Sequence, residues 1–339
     1  MNTSAKLGAT VALGILAVLA PVPASAEPAI SKLPVPPGSS QSLANDINDH
    51  GVIVGSALYG NASHALRWNT DGTVTELGAV PDAPNSSATA VNADGVAVGS
   101  AGNHAVRWAP DGSATRLPIP NGTKYCRALD INVHGLVVGR CGDQSNGLMT
   151  GRAVLWSAND QVTDLGTLPG DVAAYATGIN DQSVVVGASV RNSLPRPARW
   201  SLFGMVTALA LPEGGTSGEA LGINNSGGIV GDVRITAPSR PSVDVAVRWT
   251  ADGAATRLGG FSEGFRSGAR GINSAGTTVG DATHEKDRQR HAARWKLGPA
   301  EDIGTLPDTP RGSVTSASAV NDSGVIVGTS GSWAVRWTS

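Results

Sequence analysis

One phrase, written seven times, limits what this chain can fold into more than any other feature. It reads INDHGVIVG, VNADGVAVG, INVHGLVVG, INDQSVVVG, INNSGGIVG, INSAGTTVG and VNDSGVIVG, with its Asn at 48, 92, 132, 180, 224, 273 and 321. A Gly follows each Asn by seven residues, from Gly55 to Gly328, and an Ala precedes each by four, from Ala44 to Ala317. A second phrase of the form A-V-R-W closes on Trp68, Trp108, Trp156, Trp200, Trp249, Trp295 and Trp337. Seven of the eight Trp are therefore one per repeat, at a mean period of about 45 residues. Self-similarity on that scale marks a repeat architecture.

Each period reads as four short strands. The first is the apolar run up to the Asn. An N-x-x-G turn follows, whose Gly supplies the positive φ of a tight hairpin; Ser183 replaces it in the fourth repeat. The β-branched V-V-G run is the second strand and A-V-R-W the third. A turn such as Asp71-Gly72, Asp111-Gly112 or Asp252-Gly253 leads to the fourth. Four strands in such a period predict a β-propeller blade, so the expected fold is an all-β, seven-bladed propeller filling residues 27–339 as one domain. A β-solenoid is the rival, but its repeats are usually shorter and leave two ends to cap. Composition agrees. With 44 Gly and 20 Pro the chain is turn-rich, while 40% hydrophobic residues exclude disorder.

The spacing predicts how the ring closes. A Leu ends the fourth strand fifteen residues before the next Asn at Leu77, Leu117, Leu165, Leu209 and Leu258. Leu33 stands fifteen before Asn48 with no blade ahead of it, and the seventh repeat stops two residues after Trp337 without a fourth strand. Residues 30–33 are expected to supply that strand beside the C-terminal one. The Asn-to-Gly distance never varies, whereas Gly-to-Trp runs from 9 to 18 residues, so length variation sits between strands two and three. That loop shares a face with the blade-to-blade connections. Variable loops on a rigid frame carry binding residues, so a ligand is expected there, over the central channel.

Residues 1–26 read as a secretory signal peptide. Lys6 precedes an apolar stretch over 7–22, and Ala24-Ser25-Ala26 forms a small-residue cleavage site. The stretch is too short and too broken by Gly8, Gly14 and Pro21 for a membrane span. A net charge of −2 gives no basis for nucleic acid or an anionic membrane as partner. The expected protein is secreted, or periplasmic where an outer membrane exists, and monomeric. In that oxidising setting Cys126 and Cys141 are expected to pair, because a hairpin folded about 133–134 makes them opposite or diagonal neighbours.

No metal or cofactor motif appears: there is no D-x-D-x-D-G run, no H-E-x-x-H and no phosphate loop. An Asn opening a tight turn needs no ligand to explain it. The repeated Trp are read as inter-blade core, and the Arg preceding most of them as a solvated or ion-paired row. Two rings are left as candidate ligand-binding positions. Five residues before each Asn stand Leu43, Ser87, Arg127, Tyr175, Glu219, Gly268 and Ser316. Arg127, Tyr175 and Glu219 break a run of small or apolar residues there. Four before each Trp stand His64, His104, Arg152, Arg196, Val245, His291 and Trp333. The first reading is a binding module for a glycan, peptide or small ligand. The second is a lyase or hydrolase with its active site assembled from several blades.

The paired phrases A-x-x-I-N-x-x-G-x-V-V-G and H-A-x-x-W resemble the HAF-type extracellular repeat of bacteria. His64-Ala65-Leu66, His104-Ala105-Val106 and His291-Ala292-Ala293 stand where that repeat has His-Ala-Phe, with the Phe absent. The resemblance covers 27–339 and implies an exported protein. It implies no established reaction and no catalytic residue.

Overall fold

A propeller blade has to solve a local problem before it can pack: its innermost strand must curve round the channel. The chain solves it identically seven times. In a computed structural model describing residues 28–143, 151–201, 204–237, 240–296 and 298–338, every innermost strand carries a β-bulge just after its repeated Ala. The bulge swings the backbone of that strand toward strand two. The repeated Gly sits opposite. A methyl added at Gly55 or Gly99 would lie inside the van der Waals radius of the Leu43 or Ser87 carbonyl oxygen, and the other five glycines face the same obstruction. This Gly is kept for lack of room, not for its φ.

The strands form seven four-stranded antiparallel sheets, six of them built from consecutive strands. The seventh joins both ends of the chain: Ala29–Lys32 pairs with Trp333–Thr338, outside Ile326–Ser330 and the innermost Thr315–Val320. The closing-strand expectation is thus met, with Ile30 opposite Trp337 and Leu33 only 5% exposed. Residues 1–26, read as a signal peptide, lie outside the described residues. Among the described residues no helix is long and apolar enough to cross a membrane.

The core lies between blades. Each buried cluster combines two neighbours, as where Ala90, Val98 and Leu117 of blade two meet Cys126, Ala128, Val154 and Trp156 of blade three. Six repeated Trp are under 2% exposed and the seventh, Trp68, is 3% exposed. Each indole N–H donates to a carbonyl just past the fourth strand of the preceding blade: Pro34, Gly78, Pro118, Gly166, Ala210, Gly259 and Gly304, at 2.6–3.2 Å. Burying an indole needs such an acceptor, so each Trp both fills an inter-blade gap and fixes the blades' spacing.

The repeated Asn form a second closed circuit. Each side-chain amide donates to the main-chain carbonyl of the next blade's Asn at 2.8–3.2 Å, and Asn321 returns to Asn48. Each Oδ1 accepts the N–H four residues on, closing its own turn. The repeated Asn is fully used by the frame.

The row of Arg before Trp meets its sequence reading only in part. Arg336 is exposed and Arg107 and Arg294 are ion-paired, as expected, but Arg67, Arg107, Arg199 and Arg248 also clasp main-chain carbonyls of the neighbouring blade. Arg67 donates to the Gly95 carbonyl at 2.5 Å and to that of Pro110, and Arg107 to Gly135 and Ser157 at 3.1 and 3.2 Å. Arg199 reaches Ala251 and Arg248 reaches Gly276. Arg294 alone turns to an acid of its own blade, Glu301, at 2.7 Å. The turns of the next blade leave carbonyls facing outward, and a guanidinium spans two at once.

Candidate functional site

At the variable-loop face, the residue before each repeated Ala alternates away from the inter-blade core and into the channel mouth. Leu43, the blade-one member, is 44% exposed there. Its partner in register on strand two is the residue after the repeated Gly. The seven pairs are Leu43–Ser56, Ser87–Ser100, Arg127–Arg140, Tyr175–Ala188, Glu219–Asp232, Gly268–Asp281 and Ser316–Thr329. Blades one, two and seven offer small or apolar pairs. Blades three to six break the pattern.

The three inner-ring candidates occupy one register position on consecutive blades, and two of them are in contact. The Tyr175 hydroxyl donates to Glu219 Oε2 at 2.7 Å. Arg127 Nη1 donates to Ser100 Oγ at 3.2 Å. Burial, then the charge of Glu219 and the hydrogen bond to it, pushes the Tyr175 phenol above its ordinary range. Asp232, missed from sequence, is pushed up to about 7 by burial and then by the charges of Glu219 and Asp244. Arg140, also missed, has its Nε buried without a hydrogen-bond partner among the described residues, and burial lowers its pKa. Asp281 is fully buried and accepts from Arg266 at 2.6 Å, Arg270 at 3.0 Å and Ser316 at 3.2 Å, with Arg290 3.6 Å away. The signal for Arg140, Asp232 and Asp281 was present: each directly follows the repeated Gly.

The outer ring lies elsewhere. His64, His104, Arg152, Arg196 and His291 lie among the first three residues of the third strand, two strands out from the innermost one and so about 10 Å further out. Four of them are engaged with acids: His64 with Glu76 at 3.1 Å, Arg152 with Asp164 at 3.7 Å, Arg196 with Asp171 at 2.9 Å, and His291 with Asp302 at 2.7 Å and Asp287 at 3.0 Å. His104 has its pKa lowered by burial and by Arg116. These five do not converge with Arg127, Tyr175 and Glu219. Two recesses flank them. One, of about 860 Å³ between blades five and six, is lined by Ile235, Val243, Val245, Arg257 and Phe265. The other, of about 590 Å³ between blades six and seven, contains His291, Arg311 and Ser313. Among the described residues no three His, Cys, Asp or Glu side chains are grouped to hold a metal ion.

Cys126 and Cys141 face each other in register and are disulfide-bonded, with a Cα–Cα distance of 4.1 Å. The next pair inward is Arg127–Arg140. The bridge therefore pins the hairpin that presents both guanidiniums.

Deeper in the channel, Asp46 of blade one and Asp130 of blade three directly follow the bulged residue. Asp46 Oδ2 accepts the Val91 N–H and Asp130 Oδ2 that of Ile179, each at 2.8 Å. Burial pushes Asp46 up to about 6 and Asp130 up to about 7, the latter helped by the charge of Asp46. Between pH 4 and 7 the native state keeps protons that the unfolded chain releases, so stability falls as pH rises through that window. A melting temperature higher at pH 5 than at pH 7.5 is expected. Asp130→Asn should flatten that slope by about 2–4 kcal/mol across the window. The variant comparison is needed because carboxyls such as Asp71 and Asp287, held low by hydrogen bonds, act oppositely. Parallel wild-type and variant profiles would refute the assignment.

No protein-family model and no curated protein sequence matches the chain. Among solved structures it is similar to a streptogramin B lyase, with TM-score 0.62 and 12% identity over 92% of this chain and 97% of that one. It is similar also to virginiamycin B lyase from Staphylococcus aureus, with TM-score 0.59 and 13% identity over 92% and 99% of the two chains. The β-propeller domain of the Trilobed protease from Pyrococcus furiosus gives TM-score 0.56 and 11% identity over 88% and 94%. At such identities the likeness is one of fold alone: this chain shares the β-propeller architecture of these proteins.

Proposed function

We propose that the chain is an exported propeller that holds a small polar ligand, whether glycan, peptide or smaller molecule, at the channel mouth of its variable-loop face. One observation carries this reading. On consecutive blades the same two repeated positions abandon small residues for Arg127–Arg140, Tyr175 and Glu219–Asp232, while the frame beneath them stays unchanged. Unrepeated polar groups on a repeated scaffold serve something other than the scaffold. The leader-like residues 1–26, the disulfide and the resemblance to HAF-type repeats support export. Screening the protein lacking residues 1–26 on glycan and peptide arrays is expected to give a ligand whose capture falls more than tenfold with Tyr175→Ala and little with His104→Ala. Capture that survives both Tyr175→Ala and Glu219→Gln would place the ligand elsewhere and defeat the reading.

A second reading, an extracellular lyase or hydrolase, is favoured by Asp232. A carboxyl near 7 beside another carboxylate holds a proton it can give or take at neutral pH. Turnover of the captured ligand, lost in Asp232→Asn, would establish it.

A further inference from the structure

The frame leaves two electrostatic debts at the channel mouth, and they have opposite signs. Arg127 faces Arg140 in direct register on blade three, and Glu219 faces Asp232 in direct register on blade five. Residues so opposed hold their Cβ atoms about 5 Å apart, and like charges there destabilise the pair. Neither pair is closed by a contact ion pair: among the described residues none within 4.0 Å involves Arg127, Arg140, Glu219 or Asp232, and the opposite charges that reach them, Glu219 on Arg140 and Arg266 and Arg270 on Asp232, act at longer range. The contrast with Asp281 is instructive. One blade further on, a buried charge at the same repeat position is surrounded by three arginines. The fold can hold a charge at this position in direct contact with its opposite, and at the two like-charged pairs it does not.

Tyr175 of blade four stands between them, its hydroxyl committed to Glu219. A purely anionic ligand would neutralise only the arginine pair, and a neutral sugar neither. We infer that the channel mouth takes a zwitterionic ligand, an amino acid or short peptide, whose carboxylate is held by Arg127 and Arg140 and whose ammonium is held by Glu219 and Asp232, with its aliphatic spacer over Tyr175. This rests on the binding role proposed for that face and supplies its ligand class. A guanidinium pair suits a carboxylate because its fixed N–H groups meet both oxygens. Opposite potentials at the two ends of one site also orient the ligand and reject single-charge competitors.

Isothermal titration of the protein lacking residues 1–26 with four probes tests the inference: 6-aminohexanoate, hexanoate, hexylamine and glucuronate. The expected result is that 6-aminohexanoate binds at least tenfold tighter than any of the others. Glu219→Gln should weaken 6-aminohexanoate and hexylamine at least fivefold and leave hexanoate unchanged. Arg127→Gln should do the reverse, weakening hexanoate and sparing hexylamine. Arg127 is exposed, and circular dichroism with melting checks that both variants fold. Hexanoate or glucuronate binding as tightly as 6-aminohexanoate would overturn the inference, as would silence of all four probes. If the probes are silent while an array ligand is still captured in a Tyr175-dependent way, the ligand class fails and the binding role stands. If neither occurs, both fail.

Discussion

Removing residues 27–34 is expected to lower the melting temperature by roughly 10 °C or more, although these are eight residues at one end of a 339-residue chain. They carry the fourth strand of blade seven. Their loss strips the ladder from Trp333–Thr338, where Ala29, Ile30, Ser31 and Lys32 face Thr338, Trp337, Arg336 and Val335. It removes buried Leu33, worth about 2 kcal/mol. It also leaves the Trp68 indole without the Pro34 carbonyl it donates to at 2.7 Å, a further 1–3 kcal/mol or so for a buried orphan donor. Lys32, whose ammonium lies 3.2 Å from the centre of the Trp333 ring, goes as well. An unpaired edge then faces solvent and invites association between chains. Calorimetry of the shortened chain beside the parent decides the matter. An unchanged melting temperature would mean that the ring is not held shut by this strand.

Gly99→Ala should be strongly destabilising although it adds a single methyl. Gly99 lies in the strand Ala97–Ala101 without a positive φ, so backbone preference alone would let Ala replace it. The obstacle is the bulged neighbour. The new methyl would press into the Ser87 carbonyl and sit 2.9 Å from the Ala88 Cα, and both are main-chain atoms that cannot rotate aside. Relief requires separating the two innermost strands of the blade, at a cost of about 3 kcal/mol or more. At roughly 2–4 °C per kcal/mol that is a fall of about 6–12 °C in melting temperature. Gly72 is the matched control. Its φ is +86° but nothing lies within 4 Å of an added Cβ, so Gly72→Asn should cost no more than about 1 kcal/mol. Equal effects of the two substitutions, measured by urea melts, would refute the account of the bulge.

The two glycines show where sequence reading stops. Gly72, in an Asp-Gly turn between apolar runs, announces its reason locally. Gly99 repeats just as faithfully, yet its reason is a carbonyl twelve residues earlier that approaches only once the strand bulges. The carbonyl clasps of the Arg row were hidden for the same cause. An Arg on the outer half of a strand reads as solvated until the turn carbonyls of another blade, 28 residues on for Arg67 and Gly95, are brought against it. In the candidate site, Arg127, Tyr175 and Glu219 were legible because each breaks a repeat at one position. Their strand-two partners Arg140 and Asp232 were legible in principle, one residue past the repeated Gly, but only the register shows that each faces a like charge.

The sequence by itself determined the number of blades, the four strands in each, the strand that closes the ring and the pairing of Cys126 with Cys141. Each follows from residue spacing, within one period or compared between periods, which the chain displays before any contact forms. The tertiary structure decided the rest: the Asn and Trp circuits from blade to blade, the crowding at the repeated glycines, the separation of the His64–His291 ring from the channel mouth, and the two like-charged pairs that no contact ion pair closes. The blade-to-blade circuits depend on partners about 30 to nearly 300 residues apart, as between Asn321 and Asn48, and the crowded glycines and like-charged pairs depend on a register that exists only once the strands of a blade have bulged and paired.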